Sequence, residues 1–376
     1  MNKRVLFYYP SNKRSVSLET IIFSLQKEGV KFTLLTTCEK GSFHQELERY
    51  GIKTYSSNIK KTNSLVYYFR QLLFLIKFTK QGKFDFIFSH LQHTNFISVL
   101  AQYFYSAKCI VVRHHYKFNK GFPNIPLKVD NMEVVFDKII NRLAKKIIVP
   151  SLGVYNGMKN HEKVNMKKVE IIPYMYDFSS YSKPNIKNCK AIKIKYNSDL
   201  LAIMVSRLIP FKRHHLVFSS INNLVKEGLD IKLMVFDTGI EEERLKLYIK
   251  ENNLEENIFM LGYQENLIDY MKSSDILIMP SLTEASNNVV KEMGLMEKAV
   301  SVCKNVGDFD EYIRDGENGF LMDTENPGED MEKILRKVYQ NKNILDNLGK
   351  ELYQDIMVRF DQSSLVLEKY KKLFIN

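Results

Sequence analysis

The sequence predicts an α/β protein built from two Rossmann-like, doubly wound domains. Three observations point there. Short apolar runs alternate with segments of helical spacing along almost the whole chain. The alternation fades between residues 177 and 198, where Tyr, Ser, Asn, Lys and Pro184 dominate, and then restarts. Charge divides at the same place. Residues 1–195 carry 33 Lys and Arg against 12 Asp and Glu, whereas 196–376 carry 22 against 31. A net +21 half joined to a net −9 half does not fit one uniform domain. The 376 residues suffice for two or three domains. With 45% hydrophobic and 26% charged residues, the chain is neither disordered, collagen-like nor a disulfide scaffold.

The elements follow in order. Residues 4–9 form a near-continuous apolar run, the pattern of a strand buried on both faces. A polar loop, 10–17, leads to a helix over 18–28 that Gly29 ends. Strands are expected at 30–36, 84–89, 109–113, 147–150 and 169–173, with a helix over 134–144. Segment 64–80 reads as a basic amphipathic helix. One reading packs it on the core of the first domain, and the other lays it on a membrane surface. The second series has strands at 200–205, 231–236, 258–261, 275–280 and 299–303. Helices are expected at 216–227, 241–252, 267–272 and 289–297.

These boundaries give a basic first domain over 1–180, a linker over 181–198 and a second domain over 199–355. A C-terminal helix over 356–376 is expected to return to the first domain. Two doubly wound sheets facing across a cleft would bring the carboxyl ends of their strands together, where open α/β sheets bind ligands. Cys38, Cys109, Cys189 and Cys303 have no metal-ligand spacing and read as reduced thiols. Residues 1–10 hold only five apolar residues after Lys3 and Arg4, too few for a secretory signal core. No apolar run reaches the ~18 residues of a membrane span. A cytoplasmic location is therefore expected.

Two segments carry chemistry. Ser281-Leu-Thr-Glu284-Ala-Ser-Asn-Asn288-Val-Val-Lys-Glu292 follows a buried strand and separates two carboxylates by seven residues. Ser286, Asn287 and Asn288 are good helix caps, so a helix starting near Val289 would offer its N–H groups and dipole to a diphosphate. Glu284 would lie on the preceding loop and Glu292 in the first turns. The second segment, Val205-Ser-Arg207-Leu-Ile-Pro-Phe-Lys212, puts Arg207 and Lys212 on a strand-to-helix turn. Each cation there can make a charge-assisted contact to phosphate, worth about 1.5–3 kcal/mol.

The chain resembles the retaining glycosyltransferases of family 4, the group 1 type with the GT-B fold. The resemblance rests on Val205–Lys212, Leu261-Gly262-Tyr263, Ser274-Asp275 with Met279-Pro280-Ser281, Glu284 with Glu292, and Asp315-Gly316-Glu-Asn318-Gly319-Phe320. Ser151 and the 169–177 stretch are looser matches. The resemblance implies that Arg207 and Lys212 hold the donor diphosphate, and that Glu284 binds hydroxyls of the donor sugar. It implies that Glu292 binds the ribose and that backbone at Asn288 and Val289 meets phosphate, with Gly262 and Tyr263 on the nucleobase side. His114 aligns with a cleft histidine near the reacting sugar, and His115 is its rival by one position. The expected donor is a UDP- or GDP-type nucleotide sugar and no further cofactor. The expected acceptor is a glycan or lipid-linked hydroxyl, reached with retention of configuration and without a metal. Surface polysaccharide synthesis by an enzyme peripheral to the inner face of the membrane would follow.

The sequence departs from the family pattern at Ser206, usually Gly, and at 10–17, where a Gly-rich loop is replaced. Gly307-Asp308 replaces a double Gly, and Glu292-Met293 a Glu-Ala. Asp308 and Asp310 imitate a metal-binding pair but fall in that glycine slot. His90 and His93 follow a strand on the cleft side and are either acceptor contacts or structural. His214 and His215 read as structural. Two other classes compete: a nucleotide-sugar 2-epimerase on the same fold, and a non-catalytic basic module. Nucleic acid is not the expected partner, because no RNA-binding sheet motif or helix-turn-helix signature is present. No Gly-x-Gly-x-x-Gly follows a strand, which argues against a dinucleotide oxidoreductase.

Overall fold

The computed structural model describes residues 3–60, 64–115, 131–162, 164–264, 266–361 and 363–374. The chain divides into two compact units, Met1–Ser179 with Phe360–Asn376, and Ser180–Arg359.

In unit 1 the order is β1 (Arg4–Tyr9), α1 (Val16–Lys27), β2 (Lys31–Thr36), α2 (Ser42–Arg49), β3 (Lys53–Ser56) and α3 (Ser64–Gly82). Then come β4 (Phe86–His90), α4 (Gln92–Ala101), β5 (Lys108–Val112), α5 (Asn131–Leu143), β6 (Lys146–Val149), α6 (Leu152–His161) and β7 (Val169–Ile171). Among the described residues, the strands form a seven-stranded sheet ordered β3-β2-β1-β4-β5-β6-β7. The pairs are parallel, with Arg4 opposite Lys31 and Val5 opposite Phe86. Helices cover both faces of such a sheet, which is why β1 and β4 read as apolar runs rather than alternating ones. Gly29 takes φ 90°, and the N–H groups of Gly29 and Val30 return to Gln26 and Leu25. That closes α1 with a left-handed residue that glycine adopts without a Cβ clash.

Unit 2 holds α7 (Ile186–Lys195), β8 (Leu200–Val205), α8 (His214–Lys226), β9 (Ile231–Phe236), α9 (Glu242–Glu251), β10 (Ile258–Gly262) and α10 (Leu267–Ser273). It continues through β11 (Ile276–Met279), α11 (Asn288–Leu295), β12 (Ala299–Cys303), β13 (Phe320–Met322), α12 (Pro327–Gln340) and α13 (Asn343–Phe360). Its parallel sheet is ordered β10-β9-β8-β11-β12-β13 among the described residues.

The segment read as a linker contains α7. The Asn185 side chain caps it by accepting the N–H groups of Lys187 and Asn188. Asp269, on α10, accepts from the Asn185 N–H at 2.6 Å and the Asn188 amide at 2.8 Å. Only Ile192 of this helix is buried, while Ile186 and Ile194 are exposed, so no apolar periodicity announces it. A carboxylate about eighty residues downstream fixes it instead. Helices α2, α4 and α6 and strand β3 were likewise not assigned from the sequence. In α2 the buried side chains are Phe43, His44 and Leu47, and His44 Nε2 pairs with Thr36 Oγ1 at 2.9 Å.

The last helix, α14 (Ser364–Phe374), belongs to unit 1. Val366, Tyr370 and Phe374 join the core formed by β1, β2, β4 and α1. The Phe374 ring meets Phe86 and Phe88 edge-on at 5.4 and 5.2 Å. The chain enters α14 through a short bridge, in which the Tyr176 N–H donates to Phe360 O at 2.9 Å and the Phe178 N–H to Asp361 Oδ1 at 3.0 Å.

Phe374→Ala should therefore cost unit 1 about 3–5 kcal/mol, the range for truncating a buried Phe. Urea unfolding followed by circular dichroism would show it, and an unchanged midpoint would mean that α14 packs without contributing.

Candidate functional site

The site in unit 2 starts at the carboxyl end of β8. A short 3-10 turn, Pro210–Lys212, leads to Arg213, which has φ 55°. The Arg213 guanidinium is buried and donates to Pro280 O, Thr324 O at 2.6 Å and Cys303 Sγ at 3.2 Å. It thus ties the turn to the ends of β11 and β12 and to the segment after β13. The Leu282 N–H donates to Phe211 O at 2.9 Å, drawing the loop after β11 onto the same turn. These bonds set Lys212 against Glu284: Lys212 Nζ and Glu284 Oε1 form an ion pair whose side chains are 12% and 10% exposed. Arg207, on the same turn, is exposed, and no ion pair of its guanidinium is found among the described residues.

Helix α11 begins at Asn288, one residue before the expected Val289. Asn287 is its cap, its side chain accepting the Val290 N–H at 3.1 Å. The first-turn N–H groups at Asn288 and Val289 mark the positive end of the helix. Glu292 lies one turn further, half-buried, and burial raises its carboxyl above the ordinary value despite neighbouring Lys291. Gly262 ends β10 with φ 65°, and Tyr263 beside it is 74% exposed. In the sheet order β10-β9-β8-β11, three strand spacings separate Gly262 from the Glu284 loop. At ~4.8 Å each that is roughly 14 Å, the reach of an extended ligand rather than a point contact.

Two residues that sequence reasoning did not assign to the site hold its loop. Lys291 and Asp308 are 1% and 3% exposed, and their charged atoms lie 3.1 Å apart. Lys291 Nζ also donates to Ser286 Oγ at 2.9 Å and Asn287 O at 3.1 Å, and Ser286 Oγ donates to Asp308 Oδ2 at 2.5 Å. Burial pulls the Lys291 ammonium down, and Asp308 pushes it back up. Gly307 has φ 61°, and a Cβ there would come within 3.0 Å of Glu284 Cβ. The glycine that remains from the double-Gly slot is the one against which the Glu284 loop rests. Asp308 is therefore engaged with Lys291, and Asp310 accepts the Asn305 N–H at 2.6 Å. His214, at the start of α8, contacts Ser206 Oγ at 3.2 Å, and burial lowers it to about 4.

In unit 1 the histidines gather at the carboxyl edge. His90 ends β4 and His114 follows β5. His90 Nδ1 and His114 Nε2 lie 3.2 Å apart, and His114 Nδ1 contacts the Tyr174 hydroxyl. Burial lowers both imidazoles, His114 to about 3, so both are neutral near pH 7. His114 is half-buried, and His115, its rival by one position, is exposed. His90 is 1% exposed and stacks on Phe7 at 4.5 Å. Its ring also lies 5.3 Å from that of His114. His93 contacts the Tyr68 hydroxyl at 2.6 Å. Beneath the network, buried Arg113 pairs with Glu162 at 2.9 Å and Asp137 at 3.4 Å. Tyr174 comes from 60 residues away, and nothing local in the sequence marks it.

The buried pair supports a test. Lys291→Met leaves Asp308 charged and without its cation, and should cost about 3–5 kcal/mol. Adding Asp308→Asn should recover part of the loss, since the cycle removes the orphaned charge. Urea unfolding of both variants measures this, and a neutral Lys291→Met would show that the loop is held by other contacts.

Comparison with known proteins agrees with this geometry. The sequence model described as "Glycosyltransferase Family 4" matches residues 15–179, and "Glycosyl transferases group 1" matches 185–355. The chain is 25% identical over 270 residues to the N-acetylgalactosamine-N,N'-diacetylbacillosaminyl-diphospho-undecaprenol 4-alpha-N-acetylgalactosaminyltransferase of Campylobacter jejuni, covering 69% of this chain and 70% of that protein. It is 23% identical over 327 residues to the UDP-Gal:alpha-D-GlcNAc-diphosphoundecaprenol alpha-1,3-galactosyltransferase of Escherichia coli, covering 83% and 81%. Among solved structures, Anabaena HepE in complex with UDP-glucose superposes with a TM-score of 0.80 at 16% identity, covering 98% of both chains. TarM superposes with a TM-score of 0.78 at 12% identity, covering 100% of this chain and 99% of that one. The fold is thus GT-B, and with the two family models spanning most of its length the chain belongs to the group 1, family 4 glycosyltransferases.

Proposed function

We propose that the chain is a retaining glycosyltransferase that moves a sugar from a nucleotide-diphosphate sugar to a hydroxyl of a glycan or lipid-linked acceptor, in surface polysaccharide synthesis. The observation that carries this is the Lys212–Glu284 pair beside the start of α11, at the carboxyl edge of unit 2. A cation, a carboxylate and a helix N-terminus suit a ligand that is anionic at its diphosphate and hydroxylated at its sugar. As the bond from the anomeric carbon to the phosphate oxygen breaks, charge accumulates on the diphosphate. Arg207, Lys212 and the first turn of α11 at Asn288 and Val289 stabilise it there. The bond to the acceptor oxygen forms on the same face, and the departing phosphate oxygen takes the acceptor proton. Glu284 orients the donor sugar, Glu292 the ribose, and Gly262 with Tyr263 the base. His114, held neutral by burial and oriented by His90 and Tyr174, offers a hydrogen bond to the reacting sugar rather than a charge. These cations take the place of a metal in the reaction. Structural relatives solved with UDP and UDP-glucose support a uridine donor.

Arg207→Ala and Lys212→Ala should each lower kcat/KM about ten- to a hundred-fold, matching about 1.5–3 kcal/mol of transition-state stabilisation. Activity should survive excess EDTA. Radiolabelled UDP-sugars with an undecaprenyl-diphosphate-linked acceptor provide the assay. Wild-type turnover by both variants at sub-saturating donor would remove the diphosphate assignment. Turnover of the nucleotide sugar without acceptor would favour the epimerase.

We also propose that the enzyme is peripheral on the inner membrane face. Among the described residues, no helix is long and apolar enough to cross a membrane. Helix α3 packs inward through Gln71, Leu75 and Thr79, yet exposes Leu65, Phe69 and Leu73 at successive fourth positions. Arg70, Lys77 and Lys80 are exposed on the same helix, and residues 49–84 contain no Asp or Glu. Lys60 precedes it, while Lys61 lies outside the described residues. Each cation near an anionic bilayer contributes about 1 kcal/mol. Binding to liposomes should therefore need anionic lipid, weaken with salt, and fall when Arg70, Lys77 and Lys80 become Gln. Equal recovery from neutral and anionic vesicles in flotation would leave a soluble enzyme.

A further inference from the structure

The edge of unit 1 opposite the histidine network is charged. The strands of the unit are parallel, so all begin on the side opposite His90 and His114. On that side the first residues of β3, β2, β1, β5 and β6 are Lys53, Lys31, Arg4, Lys108 and Lys146. Lys3 and Lys145 immediately precede two of these strands. Between the starts of β4, β5 and β6 and the end of α14 lies a cavity of 570 Å³. Among the described residues, five lysines line it, Lys3, Lys108, Lys145, Lys146 and Lys372, and no Asp or Glu does.

Lys146 is paired with Glu170 at 2.5 Å. Among the described residues, no carboxylate pairs with Lys3, Lys108, Lys145 or Lys372. The floor is apolar, with Phe86, Ile110 and Phe374 nearly buried, and Lys108 Nζ stands 5.7 Å from the Phe86 ring centroid. Four ammonium groups around one concavity repel one another, and an anion entering it relieves that repulsion. The aromatic floor favours an anion that carries an organic part.

We propose that this cavity binds a phosphate-bearing ligand, its charged group among Lys3, Lys108, Lys145 and Lys372 and its organic part against Phe86 and Phe374. The site is distinct from the candidate donor residues, which lie in unit 2, and from the histidine network at the other edge of the same sheet. The phosphate could belong to a soluble organic phosphate or to the headgroup of an anionic phospholipid, and the experiment separates these sources.

Calorimetric titration with inorganic pyrophosphate tests it, on an Arg207→Ala, Lys212→Ala background so that the candidate donor site does not compete. Three full-length proteins are compared: that background alone, with Lys108→Gln, Lys145→Gln and Lys372→Gln, and with the charge-matched Lys138→Gln, Lys159→Gln and Lys190→Gln. The cavity variant should bind roughly ten-fold or more weakly than the other two. Affinity in the other two should fall as salt rises. Sedimentation with phosphatidylcholine vesicles, with and without phosphatidylglycerol, is the second arm. Selective loss by the cavity variant in both arms, or in the vesicle arm alone, assigns a lipid headgroup. Loss with pyrophosphate alone assigns a soluble phosphate. Equal binding by cavity and charge-matched variants in both arms, or no binding by the background protein in either, overturns the proposal. Melting curves of all three confirm that the comparison is between folded proteins.

Discussion

Strand direction is the constraint on which the rest depends. Parallel neighbours can be joined only by a chain that crosses back over a face of the sheet. Both faces are then covered, so the strands become apolar and the chemistry is pushed to the edges. Lys212, after β8, and Glu284 with the start of α11, after β11, share one edge because β8 and β11 are adjacent and point the same way. His90 and His114 meet because β4 and β5 do the same in unit 1. The same rule collects the strand-opening cations at the far edge of that sheet.

The charged contacts divide by burial. Exposed pairs such as Lys333 with Glu329 contribute about 0–1 kcal/mol and fix nothing. The Lys291–Asp308 pair is different, because burying either group alone costs several kcal/mol. Its hydrogen bonds to Ser286 Oγ and Asn287 O offset that cost only when the loop before α11 is in place. The pair thus favours one loop conformation over others more than it favours folding itself. Arg213 follows the same logic: a left-handed backbone costs about 1–2 kcal/mol, offset by three hydrogen bonds to neighbouring strand ends. Both devices spend stability on placing Lys212 and Glu284.

What could be read in advance follows from which signals are local. The strand runs at 4–9, 200–205 and 231–236 were legible because burial on both faces leaves an unbroken apolar string. The carboxylate spacing and the basic turn stand out because each is local, the first spanning a loop and the helix start after it, the second a single strand-to-helix turn. Helix α7 was not, because Asp269 caps it from another element and only Ile192 turns inward. Asp308 invited reading as half of a metal-binding pair, since its partner Lys291 lies 17 residues earlier on a different element. Tyr174 gave no sign, because its contact with His114 exists only after β5 and the chain beyond β7 are assembled. The two faces of α3 could be separated only by packing, which shows Leu75 inside and Leu65 outside.

The placement of α14 has a consequence for biogenesis. Val366, Tyr370 and Phe374 complete a core otherwise built from residues before 180. During synthesis that core waits, with its apolar face uncovered, while all of Ser180–Arg359 is made. Unit 2, drawn from one continuous stretch, can close as it emerges. The usual order, in which the amino-terminal domain matures first, is therefore inverted at its final step. A chain released just after Arg359 would carry a finished second unit and an unfinished first one, the species most exposed to chaperones and to aggregation.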